Sequence, residues 1–423
     1  MQGKAMKLGD VSNETAMKFG KPLTGVRILA LEQMQSLPWA TQLLARLGAE
    51  VVKVEQPGNG DPSRLAHPGV LDPQGRPLGA TFLRNNLNKR SICIDFKHEE
   101  GRALLKRMLA RYDVFCENFK PGTLAALGLD YPSLSADNPR LIYFSLSGFG
   151  QTRASPYKNW PAYAAVAEAM SGVYEHARLP HQPPIPNPVA GLGDTSAGMF
   201  GVIGVLAALR HRDRIGQGQH VDIAMFDAML AMADYGLNVW SLGLRREPDE
   251  EFIQPGIHQP FRAQDGWFML QVVREHQFAS LVRLIGCESW LSDERLSTRL
   301  GWGRHIESLI RPGIEGWAAT RTRMEVCRLL AAQGVAAGPC LFHKELVDDA
   351  HVCAHDALVE IPRPNGDGPP VLVAGNPIKM SAVSEGPESR MPWVGEHTAG
   401  ILQADLGLDS DELTSLYRNG VIG

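Results

Sequence analysis

The sequence lacks the signals that announce several common functions. Its six cysteines (Cys93, Cys116, Cys287, Cys327, Cys340 and Cys353) form no CxxC pair. Thiols scattered this way through a long chain read as reduced side chains of a cytoplasmic protein, not as a disulfide framework. The 13 histidines show no HExxH or comparable spacing, so no metal site is expected. Forty-two basic residues against 46 acidic ones give a net charge of −4, with no electrostatic case for nucleic acid or an anionic membrane as partner. The longest apolar run, 198–209, is short of the ~20 residues that span a bilayer, and it reads as a helix buried in the protein. Residues 1–21 contain no apolar core of signal-peptide length and are expected to be a disordered lead. A Walker motif is absent, and the loop after the first strand, "EQMQSLPWA", has no glycine. Dinucleotide binding needs close backbone approach there, so a nicotinamide dehydrogenase is disfavoured although Glu55 stands where a ribose-binding acid would.

What is present is an alternation of strands and helices. "VRILALE" (26–32) is a near-continuous apolar run, as a strand buried on both faces requires. A helix follows over 38–48, opened by Pro38 and stopped by Gly48. Further strands are expected at 49–55, 90–96, 113–119 and 139–150, with an amphipathic helix at 99–112. This order implies an α/β fold with a parallel sheet. Two helices are expected at 197–210 and 223–242. A hairpin turning at Asp265-Gly266 opens a smaller α+β domain at 245–340. The large domain would occupy 22–244, and the tail, 341–423, would return to it.

One acid stands out. Asp194 precedes a long apolar segment in "GLGDTSAGMFGVIGVLAAL" (191–209). It reads as a helix N-cap or as a functional carboxylate. Gly191, Gly193 and Gly198 around it would let a substrate approach, and a helix N-terminus would keep the anion deprotonated. A carboxylate can attack a thioester, giving a mixed anhydride and a thiolate, provided water is kept out.

Several stretches in order resemble the class III CoA-transferases, the family of formyl-CoA transferase and carnitine CoA-transferase (CaiB-BaiF), which also contains alpha-methylacyl-CoA racemases. They include "PLTGVRILALEQMQSLPWATQLLARLGAEVVKVEQPGNGD", "NLNKRSICIDFK", "DVFCENFKPG", "LSGFGQ", "AEAMSG", "GLGDTSAGMFGVIGVLAAL", "GQGQHVDIAMFDAML" and "GNPIKMS". The resemblance implies a Rossmann-like large domain built from both ends of the chain, a small domain, and a homodimer of interlocked protomers. It implies acyl-CoA and a carboxylic acid as substrates, with no tightly bound cofactor, and Asp194 as the nucleophile. It places Gln35 and Ser36 near the CoA chain or the thioester, and Ile94, Asp95, Phe96 and Lys97 at the adenosine end. Asn118, Phe119 and Lys120 would also touch CoA, and Gln56 and Tyr163 stand at further CoA-binding positions.

The chain departs from the family at several positions. Gln56 and Ala126 replace basic residues, so the phosphate contacts must differ. The loop "EEFIQPGIHQP" lacks a run of glycines, which argues against oxalate as acceptor. Ala164 replaces an acid. Tyr163 stands where racemases place a histidine, and a phenol with an ordinary pKa near ~10 is a poor base. Transfer is therefore favoured over racemisation, which His176 or His181 would otherwise have to support. An acyl-CoA binding protein in which Asp194 only caps a helix is the remaining alternative.

Overall fold

The computed structural model describes residues 5–176, 178–245, 247, 249 and 252–423. They fall into two compact units: one takes the chain up to Trp240 and again from Ala350 to Gly423, the other spans Ser241–Asp349.

The larger unit begins with a two-residue strand, β1 (Met6–Lys7), and then alternates. β2 (Arg27–Leu31), α1 (Ser36–Arg46) and β3 (Glu50–Glu55) come first. A small hairpin, β4 (Gly69–Leu71) and β5 (Pro77–Gly79), leads into α2 (Ala80–Asn85) and β6 (Lys89–Cys93). α3 (Glu99–Leu109), β7 (Val114–Glu117), α4 (Tyr131–Asp137) and β8 (Ile142–Ser147) follow. Then come α5 (Ala164–Met170), α6 (Val173–His176), α7 (Leu192–Ile215), β9 (His220–Ala224), α8 (Met225–Met232) and α9 (Asp234–Ser241).

Six of these strands form one sheet in the order β6-β3-β2-β7-β8-β9, and every neighbouring pair is parallel. β2 shows why its sequence is apolar throughout. Ile28 and Ala30 enter one core and Leu29 and Leu31 the other, because successive side chains point to opposite faces. The first core is closed by α1, α7 and α8 through Leu37, Leu44, Val205 and Met229. The second is closed by α3 and by the last two helices, Thr398–Leu406 and Ser410–Arg418, through Leu105, Met108, Leu402 and Leu416.

The structure departs from the sequence expectations at four places. Residues 5–21 are not a free lead: Met6 and Lys7 pair with Val359 and Glu360 of a strand at Leu358–Ile361, and Met6 is buried. α7 runs from Leu192, five residues earlier than expected, because Gly191 at φ 78° supplies the turn that starts it. α7 is long and apolar enough to cross a membrane by length and composition alone, but half of that stretch is buried inside the protein. The sixth strand, β9, was read as connection and helix. Its four outer residues are only partly buried, and it runs into α8 without a glycine or proline to separate them. In the smaller unit, β10 (Ile257–Ala263) and β11 (Gly266–Val272) form the expected hairpin, but Ala263 pairs with Gly266 and the turn is Gln264–Asp265. β12 (Ala336–Pro339) completes that antiparallel sheet over a core that includes stacked Phe278 and Trp302.

Candidate active site

The order of strands reverses at β2. β3 and β6 lie on one side of it and β7, β8 and β9 on the other. In an open parallel sheet, such a reversal leaves a crevice beyond the carboxyl ends of the strands. Here the crevice is bordered by residues 32–35, between β2 and α1.

That loop is held from several directions. Asn118, just past β7, accepts from Gln33 N at 3.0 Å and donates to Gln33 O at 2.9 Å. Asp61 accepts from Met34 N at 3.0 Å, with Met34 at φ 63°. The ammonium of Lys53 donates to Glu32 O at 3.0 Å and pairs with Asp61 at 2.8 Å. Lys89 pairs with the Glu32 carboxylate at 2.6 Å, and Thr41 donates to its other oxygen at 2.6 Å. All of these ions are buried. Burial alone would discharge Lys53, but Asp61 and Glu32 outweigh it and hold the ammonium protonated. Lys89, with less compensation, is pushed down to about 8 by burial. The network turns two loops into a rigid platform at the price of desolvating six charged groups. Glu55 belongs to it and is committed: Arg64 takes both carboxylate oxygens at 2.6 and 2.7 Å, and Ser91 and Asp61 N donate as well. No ribose-binding acid is left there.

Beside the platform lies a cavity of about 610 Å³. Gln33, Gln56, Phe96, Lys97, Phe119 and Ala126 are among its lining residues. Phe96 and Phe119 meet edge to face with ring centres 5.6 Å apart, giving an aromatic wall. Four of the sequence-predicted contact residues are therefore together: Gln56, Phe96, Lys97 and Phe119. The others have different places. Ile94 is fully buried in the core and bridges Ile422. The Asp95 carboxylate is drawn upward by burial, but the Gln56 side chain and the backbone N–H groups of Lys97 and His98 outweigh that and hold it below the usual range. Asn118 braces the loop, and exposed Lys120 is not among the residues lining the cavity. Tyr163 precedes α5 with 71% of its surface exposed.

Asp194 lies in the first turn of α7, and it is not the cap. Gly191 holds the N-cap position, and no side chain caps the helix. Among the described residues, no hydrogen bond or ion pair involves the Asp194 carboxylate. A Cβ placed on Gly191 would stand 2.1 Å from Gln35 Nε2 and 3.2 Å from Asp194 Oδ2, so amide and carboxylate converge over that glycine. Ser36, next to Gln35, is buried at the start of α1. One loop thus spans both features: Gln33 lines the cavity, and Gln35 reaches Gly191, beside Asp194.

The remaining glycines of the motif serve packing rather than substrate access. A Cβ on Gly193 would come within 3.0 Å of the Ala164 backbone. One on Gly198 would meet Trp39 at 2.9 Å, and one on Gly201 would meet Phe144 at 2.2 Å. They let α7 settle onto α5, α1 and the sheet.

The helix terminus is expected to keep the acid deprotonated at neutral pH, and the surroundings set how narrowly. Burial pushes Asp194 up to about 6, Glu168 adds to the rise, and Arg84 opposes it. Withdrawal from water outweighs the helix dipole, yet the group is still mostly ionised at pH 7. Glu168 is a buried acid one turn beyond Ala164 on α5. It accepts from Gly193 N at 2.9 Å and from the Tyr174 hydroxyl at 2.6 Å. Sequence reasoning gave no role to Glu168, although it lies in the "AEAMSG" stretch, or to Arg84, because an acid inside a short helix and an arginine at a helix end have no spacing that marks them as functional. It also passed over Glu117, which burial raises to about 7 and which accepts from Phe119 N at 2.8 Å and from the Gln151 amide. Cys93 is no candidate nucleophile, since burial pushes its thiol up to about 12.

A family model described as CoA-transferase family III matches residues 23–398. The chain belongs to that family.

Its relatives cover nearly its whole length. A succinyl-CoA–L-malate CoA-transferase beta subunit from Chloroflexus aurantiacus is 32% identical, over 95% of this chain and 98% of its own. A formyl-CoA:oxalate CoA-transferase from Streptomyces avermitilis is 33% identical, over 95% of this chain and 100% of its own. Among solved structures, a CaiB/BaiF family protein from Brucella suis superposes with a TM-score of 0.78 at 32% identity, covering 91% of this chain and 99% of that one. As a class III CoA-transferase, the protein acts on CoA thioesters and carboxylic acids.

Proposed function

We propose that this CoA-transferase moves CoA from an acyl-CoA donor to a carboxylic acid acceptor through a covalent intermediate on Asp194. The observation that carries the proposal is the Asp194 carboxylate itself: partly buried, bound by no cation among the described residues, and with the Gln35 amide converging on it over Gly191. A carboxylate oxygen attacks the thioester carbonyl, the carbonyl pair moves onto oxygen, and Gln35 Nε2 is placed to donate to that oxyanion. Collapse expels the CoA thiolate and leaves a mixed anhydride. The thiolate then attacks the aspartyl carbonyl and displaces the acyl group as its carboxylate, giving an aspartyl-CoA thioester. The acceptor carboxylate attacks that thioester and the thiolate leaves again. Its return to the acceptor's carbonyl forms the new acyl-CoA and restores Asp194. No step requires a net proton transfer.

The 610 Å³ cavity, with its aromatic wall and Lys97 at its margin, suits the nucleotide end of CoA. Racemisation is less well supported. It needs two proton-transfer groups, and Tyr163 points largely into solvent while the His176 ring meets Tyr235 edge-on at 5.4 Å.

Support for a homodimer comes from the large exposed apolar side chains of the larger unit, including Trp160, Leu179, Val189, Ile203, Leu237 and Trp240. A soluble monomer rarely leaves so many uncovered. The interlocked arrangement is part of the same proposal.

The test is a screen of acyl-CoA donors against carboxylic acids, scored by product mass, with wild type and Asp194→Ala side by side. The variant should lose transfer by at least about 10³-fold while still binding acyl-CoA. Hydroxylamine should trap the wild-type aspartyl intermediate as a hydroxamate at residue 194. Retained turnover in Asp194→Ala would mean a different nucleophile, and a wild type that transfers with no pair while binding acyl-CoA would leave a binding protein.

A further inference from the structure

Gln35 can serve as a donor only if its amide faces the right way, and an amide can flip. Three observations show what fixes it. The Arg84 Nη2 donates to Gln35 Oε1, which leaves Nε2 as the group directed towards Gly191 and Asp194. An arginine has donors only, so a flipped amide would set N–H against N–H. The second observation is how Arg84 is mounted. It sits in the last turn of α2, and its backbone carbonyl accepts from Gln42 of α1 at 2.8 Å. The other end of the Gln42 amide accepts from Leu87 N at 2.7 Å. α1 begins at Ser36, directly after Gln35, so both partners hang from one frame. The third is electrostatic. Arg84 acts on Asp194 through its field, and among the described residues its guanidinium forms no ion pair with any acid.

We infer that Arg84 is a positioning residue for the transfer reaction: it locks the Gln35 amide with its N–H2 edge towards Asp194, and its uncompensated charge favours the ionised nucleophile. The inference rests on Asp194 being that nucleophile. The Gln35 amide then meets the developing oxyanion without reorganising, which is the condition for such a donor to lower a barrier.

The experiment compares Arg84→Met, Arg84→Gln and Arg84→Lys, each in the wild-type and Gln35→Met backgrounds, using the best donor and acceptor pair for the wild type. Arg84→Met should lower kcat by about 10- to 100-fold, with KM for acyl-CoA within about twofold. Arg84→Lys, which keeps donor and charge, should recover most of the loss. Arg84→Gln keeps a donor without the charge, so the acid limb of kcat/KM should move to higher pH. In the Gln35→Met background, Arg84→Met should cost little further in kcat, because the amide it orients is gone. The inference is overturned if Arg84→Met leaves kcat intact, or if it costs as much without Gln35 as with it. Circular dichroism of each variant separates these outcomes from misfolding, and exposed Arg84 is not part of the core. If Asp194→Ala retains transfer, the nucleophile reading has failed and takes this one with it. Any other failure here leaves that reading standing.

Discussion

At neutral pH Asp194 is charged in a place that disfavours charge. Its pKa of about 6 lies above the ordinary value of 3.8, so the folded protein holds this proton more tightly than the unfolded chain does. The linkage sign follows: stability from this group falls as pH rises from about 4 through 6, and the full penalty persists above. Asp194→Asn should therefore raise the unfolding free energy at pH 7 to 8 by roughly 1–3 kcal/mol and leave it unchanged near pH 4, checked by denaturant titration at both ends. Activity should move the opposite way, with the wild-type kcat/KM dropping about tenfold per unit below pH 6 as the nucleophile protonates. A variant that is more stable and inactive would show that the strain is functional. An acid-limb midpoint near 4 would show instead that Asp194 is well solvated. At this scale the sequence told a good deal: a lone acid among small residues at a helix start is conspicuous. It could not tell the direction of the shift. That depends on Glu168, Arg84 and the depth of burial, and those meet Asp194 only in the fold.

Helix α7 carries the site, and its glycines govern how closely it packs. Gly201→Ala would drive a methyl carbon to 2.2 Å from the Phe144 ring, and Phe144 is itself fully buried, so the clash has no soft exit. About 1–3 kcal/mol should be lost. Gly316, in the helix Arg311–Ala318 of the smaller unit, has nothing within 4 Å of where its Cβ would stand. Gly316→Ala should gain roughly 0.5–1 kcal/mol from helix propensity. Thermal unfolding of the pair checks the geometry directly, and equal responses would refute it. Elements with strong local codes were legible. β2 reads as a buried strand because both its faces are apolar, and α1 because proline and glycine bracket it. β9 was not legible. Its His220 and Asp222 reach Ser145 on β8 at 2.7 and 2.9 Å, so its polar residues are satisfied by a neighbour that local sequence does not reveal.

For the molecule as a whole, the exposed apolar side chains between Trp160 and Trp240 predict self-association. Light scattering should return about twice the 46.2 kDa chain mass, unchanged by dilution until the protein unfolds, as interlinked chains require. A native peak at one chain mass would refute the dimer. The sequence by itself determined the alternation of strands and helices, the parallel sheet that alternation demands, and the candidacy of Asp194. Each of these rests on spacing along the chain, where neighbours in sequence set the physics. Only the tertiary structure decided which way the charges fell. It committed Glu55 to Arg64, left Asp194 without a partner among the described residues, and brought an unremarked arginine to the amide of Gln35. Those outcomes depend on distances between residues tens or hundreds of positions apart, and a carboxylate's energy is set by what surrounds it in space.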